Sequence, residues 1–255
     1  MAINNIERAL TIFRGIASRN KELATRYMHS TKYKQHNPHA RDGVAGVEEW
    51  IDLLPPGRHR LATVRAFQDG PYVFAHTVGN LIRPEVFLDV FSFEDGLVVE
   101  HWVVWTSLAK PNGSGHAQTD GPAVANDRDK TESNKAFVRH FYNSVLIPRN
   151  FEKIPDFFEG NQFLRHDPDA EDGMRAFQRE LETSQGQNKP LKIQEVKLVL
   201  GEGDFVLAAS KGSLAGAGFV FFDLYRVENE KLAEHWSVPM EIPPEAEWKN
   251  QNGML

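Results

Sequence analysis

FLDVFSFEDGLVVEHW at Phe87–Trp102 returns as FFDLYRVENEKLAEHW at Phe221–Trp236, and this return decides how the whole chain is read. Upstream, YKQHNPHARDG at Tyr33–Gly43 comes back as FLRHDPDAEDG at Phe163–Gly173. The two His-x-Pro histidines, His36 and His166, are offset by 130 residues and the two Glu-His-Trp triplets by 134, so the copies run colinearly with a few residues gained between the blocks. One domain has been duplicated. Each copy sets the same polar residues, a loop histidine and a strand-borne Asp and His, among aromatic and aliphatic neighbours, a combination that suggests a lined pocket.

Outward from these blocks each copy follows the same plan. Ile6, Leu10, Phe13 and Ile16 recur at helical spacing, as do Phe137, Phe141 and Val145. A second short helix follows Asn20, a good N-cap, and its counterpart follows Asn150. A third begins near Gly46 and near Gly173. Four strand-like runs come next, roughly 58–67, 72–80, 86–94 and 97–106, echoed at 191–200, 205–212, 218–228 and 231–240. Helices first and an antiparallel sheet after them predict an α+β fold. The Gly-, Pro- and Asn-rich stretch between the copies reads as a linker, giving domains at 1–109 and 135–255 joined by 110–134.

Composition narrows the function. A formal charge of −6 leaves no basic surplus for a phosphate backbone, which argues against nucleic acid or an anionic membrane surface as the partner. No apolar run approaches the roughly 18 residues of a membrane span, and the N-terminus reads as an amphipathic helix, so a cytoplasmic location is expected. The absence of cysteine excludes disulfides and thiolate chemistry. No GxGxxG, GxxxxGK[ST] or GxSxG element supports a nucleotide cofactor or a serine nucleophile. His36, His76, Asp89 and His101 could form a 2-His-1-carboxylate set in principle, but no short ligand spacing supports a metal. Neither cofactor nor metal is expected.

Alternation along the strand puts Phe87, Asp89, Phe91 and Phe93 on one face, and Phe221, Asp223, Tyr225 and Val227 on the corresponding one. A carboxylate in such an aromatic row is costly unless hydrogen-bonded, and burial raises its proton affinity toward the range useful for acid/base work. A three-residue loop at Glu94–Gly96 would place Asp89 opposite His101. A two-residue type I′ turn at Asp95-Gly96 would place it opposite Trp102. Asn229-Glu230 is a poor type I′ pair, which favours the longer loop in both copies. His76 alternates with Phe74 and Val78 and has Ala209 as its counterpart, so the two pockets are not equivalent. A structural brace remains an alternative role for each of these polar residues.

The HNP loop, the Asp-bearing strand and the F-x-x-G-x-x-x-E-H-W hairpin together resemble the SnoaL-like group of the nuclear transport factor 2-like superfamily, over nearly all of both halves. HNPHARDG and PNGSGHAQTDG look like its predicted aldol-condensation subset, and EHWSVPMEIPPEAEWKNQNGML like the tail of a sister subset. The resemblance implies two tandem cone-shaped domains, helices packed on a curved antiparallel sheet, arranged as a pseudo-twofold dimer within one monomeric chain. It also implies an acidic residue directly after His-Trp, where this chain has Val103 and Ser237. The linker and the C-terminal tail are candidates for lids over a pocket mouth, or for plain connectors.

Two functions stay open. The first is a cofactor-independent lyase or isomerase, acting by proton transfer next to the carbonyl of a small apolar molecule. Asp89, His101 and His76 are then the catalytic candidates, with His36, Phe91 and Trp105, and His166, Asp223 and His235 in the second copy, as substrate-binding candidates. The second is a non-catalytic module that binds a small molecule or a protein.

Overall fold

A computed structural model describes residues 3–186 and 190–255, and the chain divides into two compact units. The first runs to Leu108 and also takes Pro243–Leu255; the second is Ala109–Ile242. The segment read as a linker therefore packs within the second unit, and the tail read as part of the second domain packs within the first. Polar composition does not separate a solvated linker from a segment whose polar groups are hydrogen-bonded, as these are.

In the first unit α1 (Asn5–Ala17) is capped by the Asn4 side chain accepting from Glu7 N, and α2 (Lys21–Thr25) by Asn20 accepting from Leu23 N. The two pack closely at Gly15, where a Cβ would fall 2.2 Å from Ala24 N. β1 (Lys34–Gln35) and α3 (Gly43–Leu53) precede four long strands, β2 (Arg60–Asp69), β3 (Tyr72–Asn80), β4 (Pro84–Glu94) and β5 (Leu97–Ser107). The second unit repeats the order with α4 (Thr131–Phe141), β6 (Leu164–Arg165), α5 (Met174–Gly186), β7 (Leu191–Glu202), β8 (Phe205–Leu214), β9 (Ala217–Glu228) and β10 (Lys231–Glu241). A π-helical turn at Tyr142–Leu146 extends α4. The counterpart of α2 is a 3₁₀ segment, Phe151–Phe157, which holds Pro155, a residue with no N–H for an α-helical bond.

The sheets run β1-β5-β4-β3-β2 and β6-β10-β9-β8-β7. They are mixed, not wholly antiparallel as expected, because β1 and β6 pair in parallel with the last strand of their unit. The segment after the second helix lies along that edge, where two residues of it pair. In each unit the helices close one face of the sheet over an apolar cluster. Ile12, Phe13, Ile51 and Phe91 belong to the first, and Phe141, Tyr142, Phe177 and Tyr225 to the second. Among the described residues no helix is long and apolar enough to cross a membrane.

The hairpin register differs from both expectations. Asp95 and Gly96 have φ of 48° and 78° and form a two-residue turn, and Asn229 and Glu230 do the same at 50° and 59°. Three residues past Gly96, Val99 is left unpaired as a bulge, since Ser92 pairs with Glu100 while Phe93 pairs with Val98. Asp89 therefore faces Val103, and Phe91 faces His101. Ala233 is skipped in the same way in the second unit, setting Asp223 opposite Ser237 and Tyr225 opposite His235.

Candidate active site in the first unit

Directly opposed residues share a face, so the register assembles one surface from Phe87 and Trp105, Asp89 and Val103, and Phe91 and His101. The parallel strand adds Gln35 beside His101, and β3 adds Ala75 beside Asp89. This surface and the helices enclose a cavity of about 260 Å³, walled largely by apolar side chains such as Phe13, Trp50 and Leu61. Asp89, His101 and Glu85 are among the titratable side chains in its lining.

His101 sits one pair along from Asp89 on the same face, and its Nε2 lies 2.9 Å from Asp89 Oδ1. Its ring stacks on Phe91 at 4.3 Å between centroids. Gln35 stands against the other ring nitrogen. Asn37 N–H donates to Gln35 Oε1 at 2.9 Å, which turns the amide Nε2 toward His101 Nδ1 at 3.3 Å and Tyr33 OH at 3.0 Å. Nδ1 thus accepts, and Nε2–H donates to Asp89. Asp89 is 4% exposed, and burial pushes its carboxyl above the usual carboxylate range, with the hydrogen bond from His101 offsetting only part of the rise. Among the described residues nothing hydrogen-bonds Asp89 Oδ2. Asn37 also lines the cavity, its Oδ1 accepting from His39 N and its Nδ2 making no hydrogen bond among the described residues.

Three sequence candidates lie elsewhere. His76 opposes Leu88, not Asp89, and faces the other side of the sheet; its alternation with Phe74 was legible, but only the register shows which side that is. His36 follows Gln35 and turns away from the cavity. It stacks on Trp102 at 4.7 Å, places Nε2 2.8 Å from Glu100 and donates from Nδ1 to Gly253 O at 2.7 Å. His166 is its counterpart, on Trp236, Glu234 and Ala117 O. The set His36, His76, Asp89 and His101 is thus split between two faces and cannot share a metal. Trp105 and Phe91 do line the cavity, and exposed His39 stands edge-on to Trp105. Tyr33, Gln35 and Asn37 were missed as site residues; their alternation in YKQHN was the available signal, hidden because so short a strand leaves no pattern of its own.

The second unit keeps the Asp–His pair and changes what surrounds it. His235 Nε2 donates to Asp223 Oδ1 at 3.0 Å, and Tyr142 OH donates to Oδ2 at 2.7 Å, so both carboxylate oxygens are occupied. Arg165 and Asp167 stand where the first unit has Gln35 and Asn37. Asp167 Oδ2 lies 3.5 Å from His235 Nδ1 and 3.1 Å from Arg165, while Oδ1 accepts from Ser237 N. Burial alone would lower the His235 pKa, but Asp167 and Asp223 together raise it to about 9. Burial opposes ionisation of Asp167 too, and His235 and Arg165 overcome it, holding that carboxyl below its ordinary value. Asp223 and His235 are therefore parts of a closed ion network. Tyr142→Phe is expected to strand Asp223 Oδ2 without its donor and to cost about 1–3 kcal/mol in chemical denaturation.

No protein-family model and no curated protein matches the chain. Solved structures do resemble parts of it. An NTF2-like protein of unknown function from Cytophaga hutchinsonii is 13% identical over 42% of this chain and 93% of its own, with a TM-score of 0.37. A putative ketosteroid isomerase from Kribbella flavida is 20% identical over 42% of this chain and 81% of its own, at 0.37. An NTF-2 like protein of unknown function from Burkholderia xenovorans is 12% identical over 43% and 88%, at 0.38. Each match covers about two fifths of this chain.

Proposed function

We propose that the first unit is a cofactor-independent acid/base lyase or isomerase for a small, largely apolar carbonyl compound. One observation carries this reading: Asp89, buried in the lining of an apolar cavity and raised in proton affinity, is held by His101 through one oxygen, while the other makes no hydrogen bond among the described residues. Oδ2 would take a proton from the carbon next to the carbonyl, and the released electron pair would move onto the carbonyl oxygen. Asn37 Nδ2, a donor in the cavity lining with no hydrogen bond among the described residues, would meet that oxygen. Protonated Asp89 then returns the proton to another carbon, or to a leaving group.

The test follows deuterium entering the carbon next to the carbonyl of aryl and alicyclic ketone probes in D₂O, by NMR. Wild type should exchange it faster than buffer, and Asn37→Ala should slow the exchange about tenfold or more, in line with loss of one stabilising donor. Val103, an apolar residue opposite Asp89, favours a second reading in which the cavity only binds its ligand. Probes that raise the melting temperature with no exchange would establish that reading and remove the first.

A further inference from the structure

The loop that carries Tyr33, Gln35 and Asn37 is held by a segment more than two hundred residues away in the chain. Asn250, itself 6% exposed, donates from Nδ2 to Asn37 O at 2.7 Å and to Ala40 O at 2.9 Å. Asn252 donates from Nδ2 to Gln35 O at 3.0 Å and to Asp42 Oδ1 at 2.6 Å. That same Asp42 oxygen accepts from Gln35 N at 2.8 Å, closing a ring around the Gln35 backbone. Lys249 N–H reaches Pro38 O, and Gly253 O receives the proton of His36 Nδ1. The segment does not line the cavity, so it is no lid.

The second unit builds the same clamp from an unrelated sequence. Asn112 donates to Arg165 O and Asp167 O, Asp172 Oδ1 accepts from Arg165 N, and Ala117 O meets His166 Nδ1. Two unlike segments, 112–117 and 249–253, thus converge on one device, which argues that holding this loop is their task. What the loop delivers differs: Arg165 and Asp167 in the second unit, and the uncharged Gln35 and Asn37 in the first.

From this we infer that Gln35 is a positioning residue that selects the Nε2–H tautomer of His101, and that Asn250 and Asn252 act through it as a strap on the site. The inference rests on the proposed role of Asp89 for its functional meaning, but not for its test. With Nδ1 accepting from Gln35, His101 donates from Nε2 toward Asp89 Oδ1 and leaves Oδ2 without a hydrogen bond among the described residues. Replacing Gln35 by an acceptor would recreate the surroundings of His235, whose ring lies between two carboxylates.

The experiment is a long-range ¹H–¹⁵N correlation spectrum of the full chain with ¹⁵N-labelled histidine, in which His235 serves as internal reference. Wild type should show His101 as the Nε2–H tautomer alone. Gln35→Ala should lose that single state to tautomer exchange, and Gln35→Glu should protonate both ring nitrogens at neutral pH. The Asn250→Ala, Asn252→Ala double variant should move His101 in the direction of Gln35→Ala while leaving His235 in place. An unchanged His101 in Gln35→Ala overturns the role of Gln35, and an unchanged His101 in the double variant overturns the strap. Should all these shifts occur while no ketone probe exchanges deuterium in wild type, the positioning stands and the catalytic reading falls.

Discussion

Asp89→Asn is expected to reduce ketone-probe exchange by roughly a hundredfold or more while raising the melting temperature at neutral pH. The loss follows because an amide cannot accept the carbon-bound proton, and general bases contribute on the order of 10²–10⁴ in rate. The gain follows from linkage. The folded-state pKa of Asp89 lies above its ordinary value of 3.8, so its favourable contribution is complete below that value and is lost as pH rises through the folded pKa. Above that folded pKa the native state carries an ionised carboxylate that burial disfavours. Asparagine removes the charge, and its side-chain oxygen still accepts from His101 Nε2–H, for a gain of about 1 kcal/mol. The difference in melting temperature should vanish below the ordinary carboxylate range. The acid limb of the wild-type exchange profile should sit above that range for the same reason. A variant that stays active, or that loses stability at neutral pH, would contradict the assignment of Asp89 as the base.

The second large effect belongs to the other unit. Asp167→Ala is expected to destabilise it by about 3–5 kcal/mol, since the change leaves Arg165 and the His235 imidazolium buried without the carboxylate between them. The pH signature is specific. His235 is raised from 6.5 to about 9, so its stabilising contribution is complete below pH 6.5 and disappears as pH climbs through about 9. Asp167 is lowered, so its own contribution is present above 3.8 and fails only in stronger acid. Denaturation midpoints of wild type should fall between pH 6.5 and 9 by an amount on the order of 2–3 kcal/mol, and Asp167→Asn should flatten that slope. An equal slope in the variant would show that the network is not its source.

The duplication, the α+β order and nearly every strand could be read from the sequence, because period-two alternation and the returning blocks are long-range signals that local noise does not erase. Asp89 and His101 were legible as a pair because the Asp-bearing strand and the Glu-His-Trp strand form one hairpin. The faces of His36 and His76 were not legible. His36 follows a two-residue strand whose partner is 66 residues away from Gln35, at His101. His76 sits on a strand whose alternation is plain, yet whose register against β4 depends on packing. The roles of Asn112 and Asn250 were hidden for a different reason: a side-chain amide that satisfies distant carbonyls looks, in sequence, like any polar turn residue.

The unpaired Val99 has a consequence for how such a scaffold changes its chemistry. Face assignment beyond the turn depends on parity, so pairing Val99 regularly instead of bulging it out would bring Trp102 opposite Asp89 and send His101 to the reverse side. Loss of the bulge thus swaps an imidazole for an indole beside that carboxylate without altering any amino acid. The same slip is open at Ala233, which makes this hairpin a hinge point for functional drift as much as for shape.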